Sequence, residues 1–438
     1  MKNAVLTTLA LGLAACSPAP APQPEPVKTT VTLEIINPQG VKFAAYQDGN
    51  GAWKPLEGGA KRTFDVVDRF GVVVVCPIFD TNTYVYVNYS TVAELTDKTL
   101  ERYCYLPSSR DARSHRVSDS VPPSYHHLAE KGPIFPSSTG VLTPQATPYS
   151  VDLTLQGIPA GKRVDYHLGS SSGTAESGIE PLKVNRSINS NPTDIFVFYR
   201  DGKSFFSPLV KLMGLRDYVV TENRSETFDF ASSSGTPLVK RTLTTAGSFD
   251  PTGITGQNYY RNSRGTFFFM EDITGSPPST NTLPADLARP GDRYDMYLYS
   301  KNSSASQELS IGYSWNSSVD PLPTFTFPIP FDSPTAQVAD TTGYVRLKTL
   351  WTAFPGVKQY YIDQYRFISN SRKGAGTLMS AGYAKEISSY TLPNWSALAG
   401  WNNEWLTQKG EEIKWIIYAE DFEGNFNRGS SKSGSLTP

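Results

Sequence analysis

The chain has 438 residues, with 40 Lys plus Arg against 41 Asp plus Glu and a formal net charge of −1. That balance leaves no electrostatic footprint for nucleic acid or an anionic surface. The length exceeds one hydrophobic core and implies three or four domains. Charged residues are only 18% of the chain, Tyr, Phe, Thr, Val and Ser are abundant, and 34 Gly and 33 Pro punctuate them. Such a mixture favours strands and the turns between them.

The first element is a short apolar run, Ala4 to Ala14, that follows Lys2 and leads into Leu13-Ala14-Ala15-Cys16. About eleven residues are too few to span a bilayer as a helix and suit a cleaved signal. The run resembles a bacterial lipoprotein signal with Leu13–Cys16 as its lipobox. The resemblance implies export, removal of residues 1–15, and acyl chains such as palmitate on Cys16. The alternative is an ordinary secretory signal with a chance cysteine. Two or three chains anchor stably where one is marginal, each buried methylene contributing about 0.8 kcal/mol. Ser17 follows the cysteine, which in a two-membrane host implies the outer membrane. Residues 16–28 alternate with proline and form an extended tether of roughly 35 Å. No later segment approaches eighteen consecutive apolar residues, so no second membrane element is expected.

A first β-sandwich is expected over 29–107. Val31-Thr32-Leu33-Glu34-Ile35 alternates cleanly, Asn37-Pro38-Gln39-Gly40 marks a turn, and Asp48-Gly49-Asn50-Gly51 is a hairpin signal. Gly71–Cys76 is apolar on both faces and reads as a central strand, with Cys104 on a later one. Once residues 1–15 are removed, Cys76 and Cys104 are the internal pair, and an exporting compartment lets a disulfide persist. Two free buried thiols are the alternative; a metal site would need two further ligands.

Residues 108–147 are rich in Ser, Pro, Arg and His and lack periodicity, which makes them a linker or a functional loop. They hold His115, His126 and His127. Adjacent side chains on an extended chain point to opposite faces, so His126-His127 reads as solvated linker. No metal or other cofactor is expected.

A second sandwich is expected over 148–237, where Val151–Leu155 aligns with Val31–Ile35 at an offset of 120. Under the same offset Lys42, Tyr46 and Gly49 match Lys162, Tyr166 and Gly169, and Ile195–Tyr199 stands where Val72–Cys76 stood. These matches suggest a duplicated module. Gly169-Ser170-Ser171-Ser172-Gly173 lacks the lysine and helix of a phosphate loop and reads as an ordinary loop.

A third sandwich is expected over 238–332, where Leu287 to Tyr294 resembles a tyrosine corner leading into Asp295–Leu298. The fourth occupies 333–438. Leu347–Gly356 with Tyr360, and Trp415–Asp421 with Gly424-Asn425, resemble the second strand and the late strand and turn of a fibronectin type III module. The resemblance covers some eighty residues and implies a spacer or binding unit, since fold alone confers no activity.

Chemistry is sparse. No Gly-x-Ser-x-Gly elbow is present, and Glu411-Glu412 and Glu420-Asp421 point in alternating directions on strands. The aromatic enrichment at Trp395, Trp401 and Trp405, flanked by amides, suits either a glycan-stacking platform or a plug for the sandwich core. Trp351 and Trp415 lie on predicted strands and read as core.

The sequence therefore predicts an all-β chain of tandem immunoglobulin- or fibronectin type III-like sandwiches behind a lipoprotein signal and tether. It implies an extracytoplasmic, lipid-anchored envelope protein with a structural or adhesive role and no catalysis. Its partners would be the membrane and envelope glycan, wall polymer or surface-layer protein, and not nucleic acid. A carbohydrate-binding accessory lipoprotein using the tryptophan loop is one alternative. An envelope hydrolase with an interdomain site is the other.

Overall fold

The computed structural model describes residues 26–104 and 149–438, apart from 37–39, 79–81, 170, 177–180, 189–191, 205–206, 232–237, 248–252, 263, 265, 303–306, 317–320, 331–333, 355, 369–370, 385–386 and 424–425. Cys16, most of the tether, the linker histidines His115, His126 and His127, and Asn37–Gln39 of the first turn lie outside the described residues. Strand counts below are of the described residues.

Module 1 comprises β1 (Thr29–Ile36), β2 (Phe43–Asp48), β3 (Lys54–Pro55), β4 (Lys61–Val66), β5 (Arg69–Ile78), β6 (Asn82–Thr91) and β7 (Thr99–Tyr103). Module 2 comprises β8 (Ser150–Gln156), β9 (Arg163–Leu168), β10 (Ser171–Glu176), β11 (Leu182–Ser187), β12 (Thr193–Arg200), β13 (Leu209–Tyr218) and β14 (Arg224–Asp229). Module 3 comprises β15 (Val239–Thr242), β16 (Thr245–Ala246), β17 (Ile254–Arg261), β18 (Phe267–Ile273), β19 (Ser279–Thr282), β20 (Arg293–Asn302), β21 (Gln307–Asn316) and β22 (Phe325–Thr326). Module 4 comprises β23 (Thr335–Asp340), β24 (Arg346–Leu350), β25 (Gln359–Ile368), β26 (Ser371–Ser380), β27 (Ser389–Thr391), β28 (Ile413–Glu423) and β29 (Phe426–Leu436).

Modules 1 and 2 share one topology. In module 1 a β4-β1-β7 sheet faces β3-β2-β5-β6; in module 2 a β11-β8-β14 sheet faces β10-β9-β12-β13. In both, the first strand pairs antiparallel on one side and parallel with the last strand on the other. Val31, Leu33 and Ile35 are buried, and so are Val151, Leu153 and Leu155 at the offset of 120. Farther along the register drifts. Tyr46 lies opposite Val72 and Tyr166 opposite Val197, so Val72 corresponds to Val197 rather than to Ile195. The second copy carries extra residues in the connections before this strand. Nor is Gly169–Gly173 simply a loop: Gly169 makes the turn at φ 58°, and Ser171 to Gly173 belong to β10. Gly173 sits directly opposite Tyr166, whose ring lies across the glycine where a Cβ would collide.

Module 4 has β23-β24-β27 facing β26-β25-β28-β29, the three-plus-four division of an immunoglobulin-type sandwich. Trp351 and Trp415 are buried in its core. In module 3 the four-stranded sheet β18-β17-β20-β21 faces only two ribbons, β15-β19 and β16-β22. Tyr294 is fully buried and its hydroxyl accepts from the Leu283 amide at 3.0 Å, the back-bond of a tyrosine corner.

The modules are not beads on a string. The four-stranded sheets of modules 3, 4 and 1 join edge to edge into one twelve-stranded sheet. β21 pairs antiparallel with β29, and β26 pairs parallel with β6. Two hydrophobic cores also cross module boundaries. Val72, Val74 and Cys76 of β5 face module 1's own core, whereas Val73 and Val75 face a cluster shared with Tyr360, Ile362 and Trp395 of module 4. β12 is buried along its whole length for the same reason. Ile195 and Val197 face module 2, and Phe196 and Phe198 complete the core of module 3 against Tyr260 and Phe268. Burial on two sides is what an unbroken apolar run encodes.

The module 2–3 seam is also ionic. The fully buried Arg200 pairs with Asp165 at 3.1 Å and donates to the Phe269 carbonyl at 2.5 Å, capping the outer edge of β18. Arg216 grips Asp292 with two hydrogen bonds of 2.8 and 2.9 Å. Arg264 reaches Asp194 at 2.9 Å. Burial disfavours the Arg216 charge, but the bonds to Asp292 and the field of Asp194 outweigh it and hold its pKa above the ordinary arginine range.

Cys76 and Cys104 form a disulfide with their Cα atoms 5.4 Å apart and a sequence separation of 28. It ties the end of β7 to β5. Replacing both cysteines by serine is expected to lower unfolding free energy by roughly 3.5 kcal/mol, the loop-closure value for this span. Chemical denaturation of the oxidised wild type against the double variant measures it.

Candidate functional site

The aromatic loop after β27 was the sequence's strongest binding candidate. Gly343, at φ +82°, has Ser396 Oγ 2.3 Å from where its Cβ would lie, so only glycine lets the loop approach this turn. The Tyr344 hydroxyl donates to the Pro393 carbonyl at 2.7 Å and accepts from the Trp395 amide at 2.8 Å. Asn402 caps the short 3-10 turn Asn403–Trp405 by accepting from the Glu404 amide at 2.9 Å. Trp401 Nε1 donates to Asn403 Oδ1 at 3.1 Å. These bonds fix the three indoles.

They are fixed against module 1. Trp395 is 0% exposed. It meets Trp53 edge to face at 5.5 Å and Trp401 at 4.9 Å. Trp401 meets Phe43 edge to face at 5.4 Å and Trp405 at 5.2 Å. Trp401 and Trp405 are half-buried against the shared core. A glycan platform needs free ring faces. Trp395 has none, whereas Trp401 and Trp405 pack on one another and on Phe43 and stay partly exposed. Trp395 plugs the junction, and each aromatic pair there contributes about 0.5–1.5 kcal/mol beyond burial.

Two further groups hold this junction and were not singled out from sequence. The Tyr84 hydroxyl of β6 donates to the buried Asp363 of β25 at 2.5 Å and lies 3.4 Å from the Tyr361 hydroxyl. Gly376 between them leaves room for both phenols, which would stand within 2.8 Å of a Cβ there. At the far end of β6, Glu94 of module 1 accepts from the Ser380 hydroxyl and from the Gly382 amide, at 2.6 Å for the latter, in module 4. It also accepts from the Thr91 amide and hydroxyl at 3.0 and 2.9 Å. Burial alone would raise the Glu94 pKa, but these hydrogen bonds outweigh it and hold the carboxyl below its ordinary value.

Other chemistry is limited. Among the described residues no group of three or more His, Cys, Asp or Glu is placed to hold a metal ion, and no helix is long and apolar enough to cross a membrane. A cleft of about 360 Å³ at one end of module 4 is lined by Arg366, Gly410, Glu411, Glu412 and Lys414. Arg366 pairs with Glu411, and the two acids balance the two bases. Cys16 and the linker histidines lie outside the described residues.

No protein-family model matches this chain, and no curated protein matches it. Two arrays among solved structures are similar to it in part. The FN1–FN3 domains of chicken CNTN1 match over 63% of this chain and 91% of that one, at 8% identity and a TM-score of 0.17. The central fibronectin-III array of RIM-binding protein matches over 64% and 89%, at 9% identity and a TM-score of 0.15. The strand order itself defines the class: an all-β protein of immunoglobulin- or fibronectin type III-like sandwiches.

Two outcomes are expected at the junction. Trp395→Ala should cost about 3–5 kcal/mol, the usual range for emptying a buried indole site, and hydrogen exchange should rise in both β5 and β24. The second outcome concerns Glu94. A carboxylate whose pKa is depressed on folding stabilises fully above its unfolded value of 4.5, and the contribution is lost as pH falls through the lower folded value. Acid titration of wild type against Glu94→Gln should show a smaller loss of stability below pH 4.5 in the variant.

Proposed function

We propose that this chain is a lipid-anchored, non-catalytic envelope protein whose fused sandwiches form one stiff structural and binding element. The observation that carries this reading is the continuous sheet through modules 3, 4 and 1, with one core shared by modules 1 and 4 and another that fastens module 2 to module 3. Separate domains joined by small polar contacts move relative to one another by default, whereas large apolar interfaces suppress that motion. A stiff body on a proline tether holds its distal loops at a set distance from a lipid surface. The Leu13–Cys16 lipobox and the tether at 16–28 support attachment through acylated Cys16 and a place on the outer side of the envelope. Exposed loops and free strand edges would serve as contact surfaces for envelope glycan, wall polymer or surface-layer protein. The full burial of Trp395 at the junction of modules 1 and 4 supports a structural role for that part of the tryptophan loop.

Cells making the wild-type chain are expected to incorporate labelled palmitate into it and to retain it in the membrane fraction. Cys16→Ser should be unlabelled and released. Wild-type protein recovered unlabelled, with its first fifteen residues intact, overturns the anchored reading.

A further inference from the structure

The chain has four histidines, and His167 is the one within the described residues. It lies on the outward face of β9, in the seam between modules 2 and 3. Its ring is stacked on Phe198 of β12, 5.7 Å away and 10° from parallel, and meets Phe268 of β18 at 5.3 Å. Phe268 in turn packs on Phe196 at 5.6 Å and on Tyr260 at 4.9 Å. His167 thus shares the aromatic wall by which module 2 completes the core of module 3. It is 9% exposed.

We infer that His167 makes the module 2–3 seam acid-labile: protonation of its imidazole drives module 2 away from module 3 and uncovers the Phe196, Phe198 and Phe268 surface.

The charges around the ring set the sign. Asp165 of the same strand favours the imidazolium, but it is already bound by Arg163 at 2.8 Å and by Arg200 at 3.1 Å. Arg200 of β12 is a buried like charge and opposes protonation. From module 3 the ring meets Phe268, with the Tyr260 phenol behind it, and the Thr266 hydroxyl bonds to the Gly169 carbonyl two residues on, at 3.0 Å. The Asp194–Arg216–Asp292–Arg264 cluster lies farther along the same seam, with its acids already paired to arginines. A new cation therefore enters an aromatic slot where, among the described residues, the neighbouring carboxylate Asp165 is already engaged by two arginines. Burial, ahead of the opposing Asp165 and the assisting Arg200, pushes the His167 pKa down from 6.5 to about 4. A histidine depressed on folding stabilises the closed seam fully above 6.5, and that contribution is lost as pH falls towards 4. The open population should rise by up to about tenfold per pH unit across this window, and by roughly 300-fold in all.

The test is amide protection of β12 and β18, corrected for intrinsic exchange, together with binding of an apolar dye, between pH 7 and 4 in the full chain. Wild type should lose protection and gain dye binding across the window. His167→Phe keeps a ring in the slot without a titrating group, so its seam should stay flat. An equal loss in that variant, or a flat wild type, overturns the proposal. Should His167→Phe fail to fold, a chain with His115, His126 and His127 replaced by glutamine leaves one imidazole to follow by NMR. A midpoint well below 6.5 that coincides with seam opening supports the proposal, and a midpoint near 6.5 refutes it.

Discussion

Backbone hydrogen bonding at sheet edges governs the whole arrangement. An immunoglobulin-type sandwich ends each sheet in a row of unpaired amides and carbonyls, which must meet water, a partner strand or a protecting side chain. Here three sandwiches meet this demand with one another. The edge strands β21 of module 3 and β29 of module 4, ten and eleven residues long, pair antiparallel. The opposite edge of module 4, β26, runs parallel beside β6. At the outer end of this sheet Arg200 of module 2 occupies a carbonyl of β18, and at the other end β3 is only two residues long and includes Pro55. A short strand with proline and a charged cap are both known ways of closing an edge.

Once edges are joined, the faces follow. Joining module 1 to module 4 places the outer face of β2, β5 and β6 beneath the loop that carries Trp395, so that face must be apolar. Joining module 2 to module 3 uses the opposite solution: the sheets meet face on, and module 3, which has only two ribbons as its second layer, takes Phe196, Phe198 and Leu212 as its own. The duplicated topology of modules 1 and 2 is thus used in two different ways. Ionic pairing accompanies the second. Arg200, Arg216 and Arg264 are matched with Asp165, Asp292 and Asp194, and breaking a buried pair by removing one partner leaves an uncompensated charge.

The sequence revealed local pattern well and distant partners poorly. Alternation in Val31–Ile35 and Val151–Leu155 encodes strands with one buried face, and both are such strands. The run Val72–Val75 announced burial on both faces, but nothing near it names the covering surface, which comes from module 4. The tryptophans at 395, 401 and 405 were legible as a cluster. Whether their faces are free depends on Phe43 and Trp53, which lie more than 340 residues earlier in the chain. Ser171–Gly173 has the composition of a loop, yet the Tyr166 ring opposite shields the glycine and makes a strand of it. His167 looked unremarkable because its environment is assembled from two modules.

The β6–β26 pairing has a consequence for biogenesis. Tyr84 and its carboxylate partner Asp363 are 279 residues apart in the chain. A ribosome delivers about 5–20 residues per second, so β6 stands without its neighbour for some fifteen seconds or more after it emerges. Throughout that interval module 1 displays a tyrosine- and valine-rich ribbon with one side unmatched, the kind of template on which nascent chains associate wrongly. Truncation that removes β26 would therefore leave β6 as an open edge of module 1, whereas loss of β29 alone would uncover β21 and β28.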